Sequence, residues 1–379
     1  MRMIYLDHQA STPMLPEVID AVCEQFRLGY ANPHSEGHAA GWAASEAVEA
    51  AREGIAHAIG GMSDEIIFTS GATEANNLAL FGGAQKQQGR NKIIVGATEH
   101  KSVLAPAREL QGSGFDVILA PVDAAGGIDL EVLSDLVDDE TLLVSAMLAN
   151  NEVGTAHPTR RIADICHEVG AILHCDGAQA LAWKHIDVEE SDIDMLSLSA
   201  HKAGGPKGIG ALWVRQDLKR DLRPILHGGG QESELRSGTV PVPLCVGFAL
   251  ACELRPDENA VANWRRVTDR LRASLAASFP DARFLGEHGA GHPGNICVRL
   301  PGIDAEQLIT LLQPQIAIST GSACTSGIRE PSHVLRAMGL SVQQCSETLR
   351  LSTARDTSIT EINEAASIMT REVHRLRAL

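Results

Sequence analysis

"TLLVSAMLANNEVGTAHPTRRIADICHEVGAILHCDGAQA", residues 141–180, reads as strand, helix, strand. The outer runs "TLLVSAMLAN" and "AILHCDGAQ" are predominantly apolar and show no regular alternation with polar residues, so both faces of each strand must be covered. Between them, "RIADICHEVG" has helical spacing. Buried strands joined through a helix are the unit of a parallel sheet. The unit recurs on both sides. Upstream, the helix "ASEAVEAAREGIAHAIG" stops at Gly60-Gly61 and gives way to the strand "EIIFTS", the helix "GATEANNLALFGGAQ", the strand "KIIVGATEH", the helix "KSVLAPARELQ", the strand "FDVILAPVD" and the helix "DLEVLSDLV". Downstream come the strand "DMLSLSAHK" and a hairpin-like strand "GIGALWVR". The expectation is an α/β protein built on a mostly parallel seven-stranded sheet. Ligands of such sheets bind beyond the carboxyl ends of the strands.

After "VPLCVGFALACELR", about residues 243–255, the texture changes. A long polar helix, "ENAVANWRRVTDRLRASLAAS", leads into "ARFLG", "GNICVRLP", "DAEQLITLLQP", "IAIST", "PSHVLRAMG", "ETLRLSTA" and a terminal helix "ITEINEAASIMTREVHRLRA". This reads as a smaller α+β body. The expected division is a large domain at 15–255 and a small domain made of 1–14 and 256–379. A chain of 379 residues is long enough for two or three domains. Aromatics are only 3% of it, so the core must be built from Ala, Val, Ile and Leu.

The formal net charge of −16 argues against a broad nucleic-acid surface. Eight cysteines (Cys23, Cys166, Cys175, Cys245, Cys252, Cys297, Cys324, Cys345) form no CxxC pair. That suits free thiols in a reducing, cytoplasmic setting. No apolar run approaches the 18 or so residues of a membrane span, and "MRMIYLDHQAST" has no signal-like core.

Polar groups cluster just after the apolar strands. In "TSGATEANN", Gly71 turns the chain and a helix begins near Thr73, giving either a phosphate cradle at a helix N-terminus or an ordinary cap. His100 follows "KIIVGAT", as a capping or solvated residue or a ligand. Asn150 and Asn151 suit a turn as well as a contact. Asp176 ends an apolar strand, an awkward place for a carboxylate without a partner, and Gln179 lies three residues on. "DMLSLSAHKAGGPKGIGA" delivers Ser199, His201 and Lys202 to a strand end, where desolvation would lower a lysine pKa and suit imine chemistry. Together these meet the needs of pyridoxal phosphate (PLP): a lysine to hold it, an acid for the pyridinium nitrogen and a phosphate site. A P-loop is excluded because no GxxxxGK[ST] occurs, and no GxGxxG follows the first strand.

"YLDHQASTP", "SGATEANNLAL", "TEHKSVL", "NNEVGT", "HCDGAQA", "SLSAHKAGGPKGIGAL", "GGGQESELRSGTVPV" and "STGSACTSG" together resemble the NifS/IscS-type cysteine desulfurases over nearly the whole chain. The resemblance implies a fold-type I PLP enzyme, a homodimer, with L-cysteine as substrate and an acceptor protein for its sulfur. It implies that Lys202 holds PLP, Asp176 pairs with the ring nitrogen, Gln179 bonds the ring oxygen, and His100 stacks on the ring and helps to move protons. Ala72, Thr73, Ser199 and His201 would hold the phosphate, and Thr239 would reach the phosphate of the neighbouring subunit. Asn151 and Arg350 would fix the substrate carboxylate, and Cys324 would carry the persulfide on a mobile loop. Selenocysteine lyases and other fold-type I enzymes are the alternative.

This chain also departs from the family. His8 in "LDHQAST" stands where Tyr or Asn is common. The chain stops at "EVHRLRAL", whereas housekeeping iron–sulfur members continue into a tail that contacts a scaffold protein. NifS types and the enzymes that feed DNA phosphorothioation lack that tail. Cys23, Cys166, Cys245, Cys252 and Cys297 lie in apolar patterns and read as buried small hydrophobes. Cys175 reads as packing beside Asp176, and Cys345, ahead of a strand, as exposed or capping. The basic stretch "REVHRLRAL" reads as a solvated face.

Overall fold

The computed structural model describes residues 3–84, 89–286, 289–321 and 330–378. The chain opens with β1 (Ile4–Tyr5), α1 (Pro16–Leu28) and α2 (Ala39–Ala58). The alternating part then runs β2 (Ile66–Thr69), α3 (Ala72–Ala84), β3 (Lys92–Gly96), α4 (Lys101–Gly112), β4 (Asp116–Ala120), α5 (Leu130–Leu136), β5 (Thr141–Ser145), α6 (Thr159–Glu168), β6 (Ile172–Asp176), β7 (Met195–Ser199) and β8 (Gly210–Val214). Next come α7 (Gln216–Lys219), α8 (Val242–Glu253), α9 (Glu258–Ser278), β9 (Arg283–Leu285), β10 (Asn295–Arg299), α10 (Ala305–Leu312) and β11 (Ile316–Ala317). The chain finishes with α11 (His333–Ala337), α12 (Val342–Ser346), β12 (Thr348–Ser352) and α13 (Ile359–Arg377).

Strands β2 to β8 form one seven-stranded sheet in the order β2-β8-β7-β6-β5-β3-β4. β4, β3, β5, β6 and β7 are mutually parallel, and β8 runs antiparallel to both of its neighbours, β7 and β2. Every strand except the edge strand β4 is buried along its whole length, as their unbroken apolar runs require. Alternate residues feed opposite layers. Phe68, Ile94, Val144 and Leu196 pack with Ile55 of α2 and Phe248 of α8, whereas Ile67, Val95, Leu143 and Leu212 pack with Leu78 of α3 and Val103 of α4.

β8 must approach the β2–α3 turn closely. A Cβ at Gly210 would lie 2.4 Å from the Leu198 carbonyl oxygen and 2.7 Å from the backbone of Gly71, so the glycine of "GIGAL" is sterically required.

A second core joins α9, α10 and α13 to the antiparallel sheet β12-β10-β9, and Ile4 and Leu6 from the N-terminus enter it through the parallel β1–β11 pair. β12 carries Arg350 from this core toward the large sheet. Among the described residues no helix is long and apolar enough to cross a membrane.

Two of the cysteine expectations are corrected. Cys23 is exposed: α1 buries Val18 and Val22, packed with Ala251 of α8, and Cys23 falls on its other face. Cys345 is buried with Val153, Cys297 and Val334, because its polar neighbours in sequence face away from an apolar seam that only the tertiary fold creates. Cys175 packs in the large core, as expected.

Candidate active site

A cavity of about 590 Å³ lies beyond the carboxyl ends of β2, β3, β5, β6 and β7. Ala72, Thr73, His100, Asn151, Asp176, Gln179, Ser199, His201, Lys202 and Arg350 all line it. Thr239 is exposed and is not on its wall. Cys324 lies outside the described residues.

The β2–α3 turn is held from outside. Glu74 in the first turn of α3 accepts from the Ser70 N–H at 2.7 Å and from Arg236 at 2.8 Å. Among the described residues no acceptor is found for the N–H groups of Ala72 and Thr73, so the start of α3 offers free donors and a positive dipole end to an anion. His201 sits nearby with Nδ1 3.2 Å from Ser11 Oγ. Burial and the two adjacent lysines push its pKa down to about 4, so its ring is neutral at neutral pH.

Asp176, 5% exposed at the end of β6, is stabilised by donors. Its Oδ2 accepts from Asn76 Nδ2 at 2.8 Å and its Oδ1 from the Ala178 N–H at 2.9 Å. Behind it, Glu99 is fully buried and accepts from the Met147 N–H. Desolvation, reinforced by the field of Asp176, raises the Glu99 pKa well above the carboxylate range.

Lys202 follows β7 and its Nζ donates to the carbonyls of Gln9 at 2.5 Å and Ala10 at 2.8 Å. Desolvation, then the charge of Arg350, lowers its pKa from 10.5 to about 8, against the opposing pull of Asp176 and Asp7. Gln179 donates to the same Gln9 carbonyl at 2.9 Å, which leaves its second amide hydrogen for a ligand. Arg350 donates from Nη1 to the Asn151 carbonyl and from Nη2 to Asp7 Oδ1, each at 2.7 Å. Asn150 follows the turn reading: it is fully buried and its Oδ1 caps the N–H groups of Glu152 and Val153.

Sequence reasoning missed Asp7, Gln9, Glu152 and His333 on the cavity wall and Asn76 behind it. Asn76 lay inside a quoted motif, but its partner Asp176 is 100 residues away. Glu152 is buried, and accepts from Ser332 Oγ at 2.5 Å. His333 donates to the Glu99 carbonyl at 2.8 Å.

Beneath the site, the fully buried His174 sits between Ser145 Oγ at 2.8 Å and Ser197 Oγ at 2.9 Å. Burial lowers its pKa to about 4, and that of His292 to about 3. Unfolded histidines titrate near ~6.5. Below that pH the unfolded chain takes up protons that the fold refuses, so stability must fall as pH drops toward about 4. These two rings contribute roughly 3 kcal/mol per pH unit in that window. Denaturant unfolding between these limits is expected to show the decline, and His174→Gln is expected to reduce its slope by about half of that amount.

The site fits PLP. It combines a desolvated amine, a carboxylate held by two donors and an anion cradle on one cavity. The class-V aminotransferase family model matches residues 4–364. A probable mitochondrial cysteine desulfurase of Dictyostelium discoideum is 42% identical over 99% of this chain and 84% of its own. The cysteine desulfurase IscS of Rickettsia massiliae is 40% identical over 99% of this chain and 92% of its own. The solved structure of a NifS-like protein superposes with a TM-score of 0.91 at 33% identity, over 99% of this chain and all of the other. Class-V aminotransferases and cysteine desulfurases depend on PLP, and by full-length similarity together with the geometry of its cavity this chain belongs to the class-V aminotransferase family, in the branch of the NifS/IscS-type cysteine desulfurases.

Proposed function

We propose that this chain is a PLP-dependent cysteine desulfurase that converts L-cysteine to L-alanine and places the sulfur on Cys324 as a persulfide, for transfer to an acceptor protein. The observation that carries the reading is the convergence of a desolvated lysine, Lys202, with Asp176, His100 and Arg350 on one cavity. When bound, PLP supplies an electron sink that lets bonds at the substrate Cα and Cβ break.

The chain's own residues do the rest. Lys202 holds the cofactor and, with a pKa of about 8, has a free-amine fraction near neutral pH to take up the Cα proton. Asp176 would pair with the ring nitrogen of PLP and Gln179 with its ring oxygen, Ala72, Thr73, Ser199 and His201 would hold the phosphate, Arg350 and Asn151 would orient the substrate carboxylate, and His100 would cover the ring. In a homodimer, the exposed Thr239 serves the phosphate of the neighbouring copy. The same reading takes residues 15–255 as the cofactor-binding body and 1–14 with 256–379 as the smaller one, supported by the separate cores. It places the protein in the cytoplasm, supported by the free thiols of all seven described cysteines.

The test is direct. PLP-loaded protein given L-cysteine and a reductant is expected to release alanine and sulfide in equal amounts. Cys324→Ser is expected to keep the PLP absorbance and lose sulfide release. Full turnover in that variant, or a protein that binds no PLP, overturns the reading.

A further inference from the structure

His100 caps α4, and the polarity of its hydrogen bonds determines where its proton sits. Its Nδ1 accepts from the Ser102 backbone N–H at 3.1 Å. A peptide N–H only donates, so Nδ1 carries no hydrogen in the neutral ring. The Ser102 hydroxyl also lies 2.8 Å from Nδ1.

That hydroxyl is oriented in turn by Asn76, whose Nδ2 reaches Ser102 Oγ and Asp176 Oδ2, both at 2.8 Å. Turning the Asn76 amide over would set its oxygen against the Asp176 carboxylate, so the amide must present its NH₂ to both. The Ser102 oxygen therefore accepts from Asn76, and its own hydrogen points at His100 Nδ1. Asn76 is fully buried and its Oδ1 has no partner, which is the penalty the arrangement carries.

We infer that Asn76 and Ser102 are positioning residues that fix the tautomer of His100 through hydrogen bonds anchored on Asp176, so that His100 presents a neutral Nε2–H to the bound substrate as a hydrogen-bond donor. No described residue accepts that Nε2–H, and His100 lines the cavity. That tautomer leaves the cavity's proton-accepting work to the Lys202 amine and makes His100 a donor, an arrangement in which a neutral imidazole polarises a substrate atom. Burial is the main influence that keeps the ring neutral, with help from Lys202, from His333 on α11 and from Lys101 on its own helix, against Asp176 on β6.

This inference rests on the proposed desulfurase reading. Its test uses PLP-loaded protein with Ser102→Ala, Ser102→Thr and Asn76→Leu. The readouts are PLP affinity, the pH profile of kcat/KM with L-cysteine and the His100 ring signals in NMR.

Losing the hydroxyl removes one donor that favours the unprotonated Nδ1. Ser102→Ala is expected to move the His100 titration, and the acidic limb of the profile, upward by roughly half to one pH unit, the equivalent of one hydrogen bond. It is expected to lower kcat about tenfold, the effect of a misaligned donor, with PLP affinity unchanged. Ser102→Thr restores the hydroxyl and should restore the wild-type profile. Asn76→Leu is expected to produce the same shift and, in addition, weaker PLP binding, because Asp176 loses a partner.

An unmoved His100 titration in Ser102→Ala, or no recovery in Ser102→Thr, overturns the inference. Failure of the wild-type protein to bind PLP or to consume cysteine would instead overturn the desulfurase reading.

Discussion

Lys202→Met is expected to abolish turnover, by about a thousandfold or more, and to make the cofactor-free protein more stable near neutral pH. The first effect follows from the two roles proposed for Lys202, the amine that holds PLP and the base, each a contribution of several powers of ten. The second follows from linkage. The fold lowers the Lys202 pKa from 10.5 to about 8, which corresponds to roughly 3 kcal/mol of destabilisation whenever the amine is charged in both states. That cost is full below about pH 8 and fades as pH rises toward 10.5, because the folded amine loses its proton before the unfolded one does. The stability advantage of the variant should therefore be largest at neutral pH and shrink in alkaline buffer. Denaturant unfolding of the cofactor-free protein at pH 7 and pH 10 measures it. Loss of stability at neutral pH would mean that the two carbonyl bonds to Gln9 and Ala10 outweigh the desolvation.

The carboxyl-end placement of the site was legible because it depends on local patterns. The apolar runs ending at Thr69, Gly96, Ser145, Asp176 and Ser199 are strands whose buried state their composition demands, and although each polar residue just beyond such a run also suits a cap or a turn, together they mark one end of the sheet. The sheet order was not legible. β3 lies between β4 and β5, and β8 is inserted between β2 and β7, and nothing in a single strand specifies its neighbour. The awkwardness of Asp176 was visible, but its solution in Asn76 was not, since "EANNLAL" looks like any helix with two polar residues. α1 escaped notice because it buries only Val18 and Val22. The misread cysteines share one cause: a residue's neighbours in sequence do not reveal which helix face or inter-sheet seam it meets.

Glu232→Ala is expected to destabilise the protein by about 3–5 kcal/mol, the usual result of leaving a buried charge without its partner. Glu232 is 7% exposed, and its two carboxylate oxygens accept from Arg52 Nη1 and Nη2, each at 2.8 Å. It also accepts from the Phe68 N–H at 2.7 Å. Arg52 also donates from Nη1 to the Ile66 carbonyl at 2.8 Å and from Nε to the exposed Glu49 at 3.3 Å, a weaker, solvated partner, and lies 4.9 Å from the Phe68 ring centre. The backbone shows how firmly this pair holds. Glu232, Ser233 and Glu234 have φ values of 49°, 56° and 66°, a left-handed run that L-residues avoid at roughly 1–2 kcal/mol each. Such a turn persists only where side-chain bonds over-determine it. Beyond it, Arg236 reaches Glu74, and Glu74 holds the Ser70 N–H, so one segment secures both the end of β2 and the turn that opens α3. Loss of Glu232 should therefore weaken PLP binding as well as the fold. A double-mutant cycle with Arg52→Met separates the causes: once Arg52 is gone, Glu232→Ala should cost far less than it does alone, because no buried guanidinium remains uncompensated. Additive losses would place the stabilisation in the Phe68 bond and the turn rather than in the ion pair.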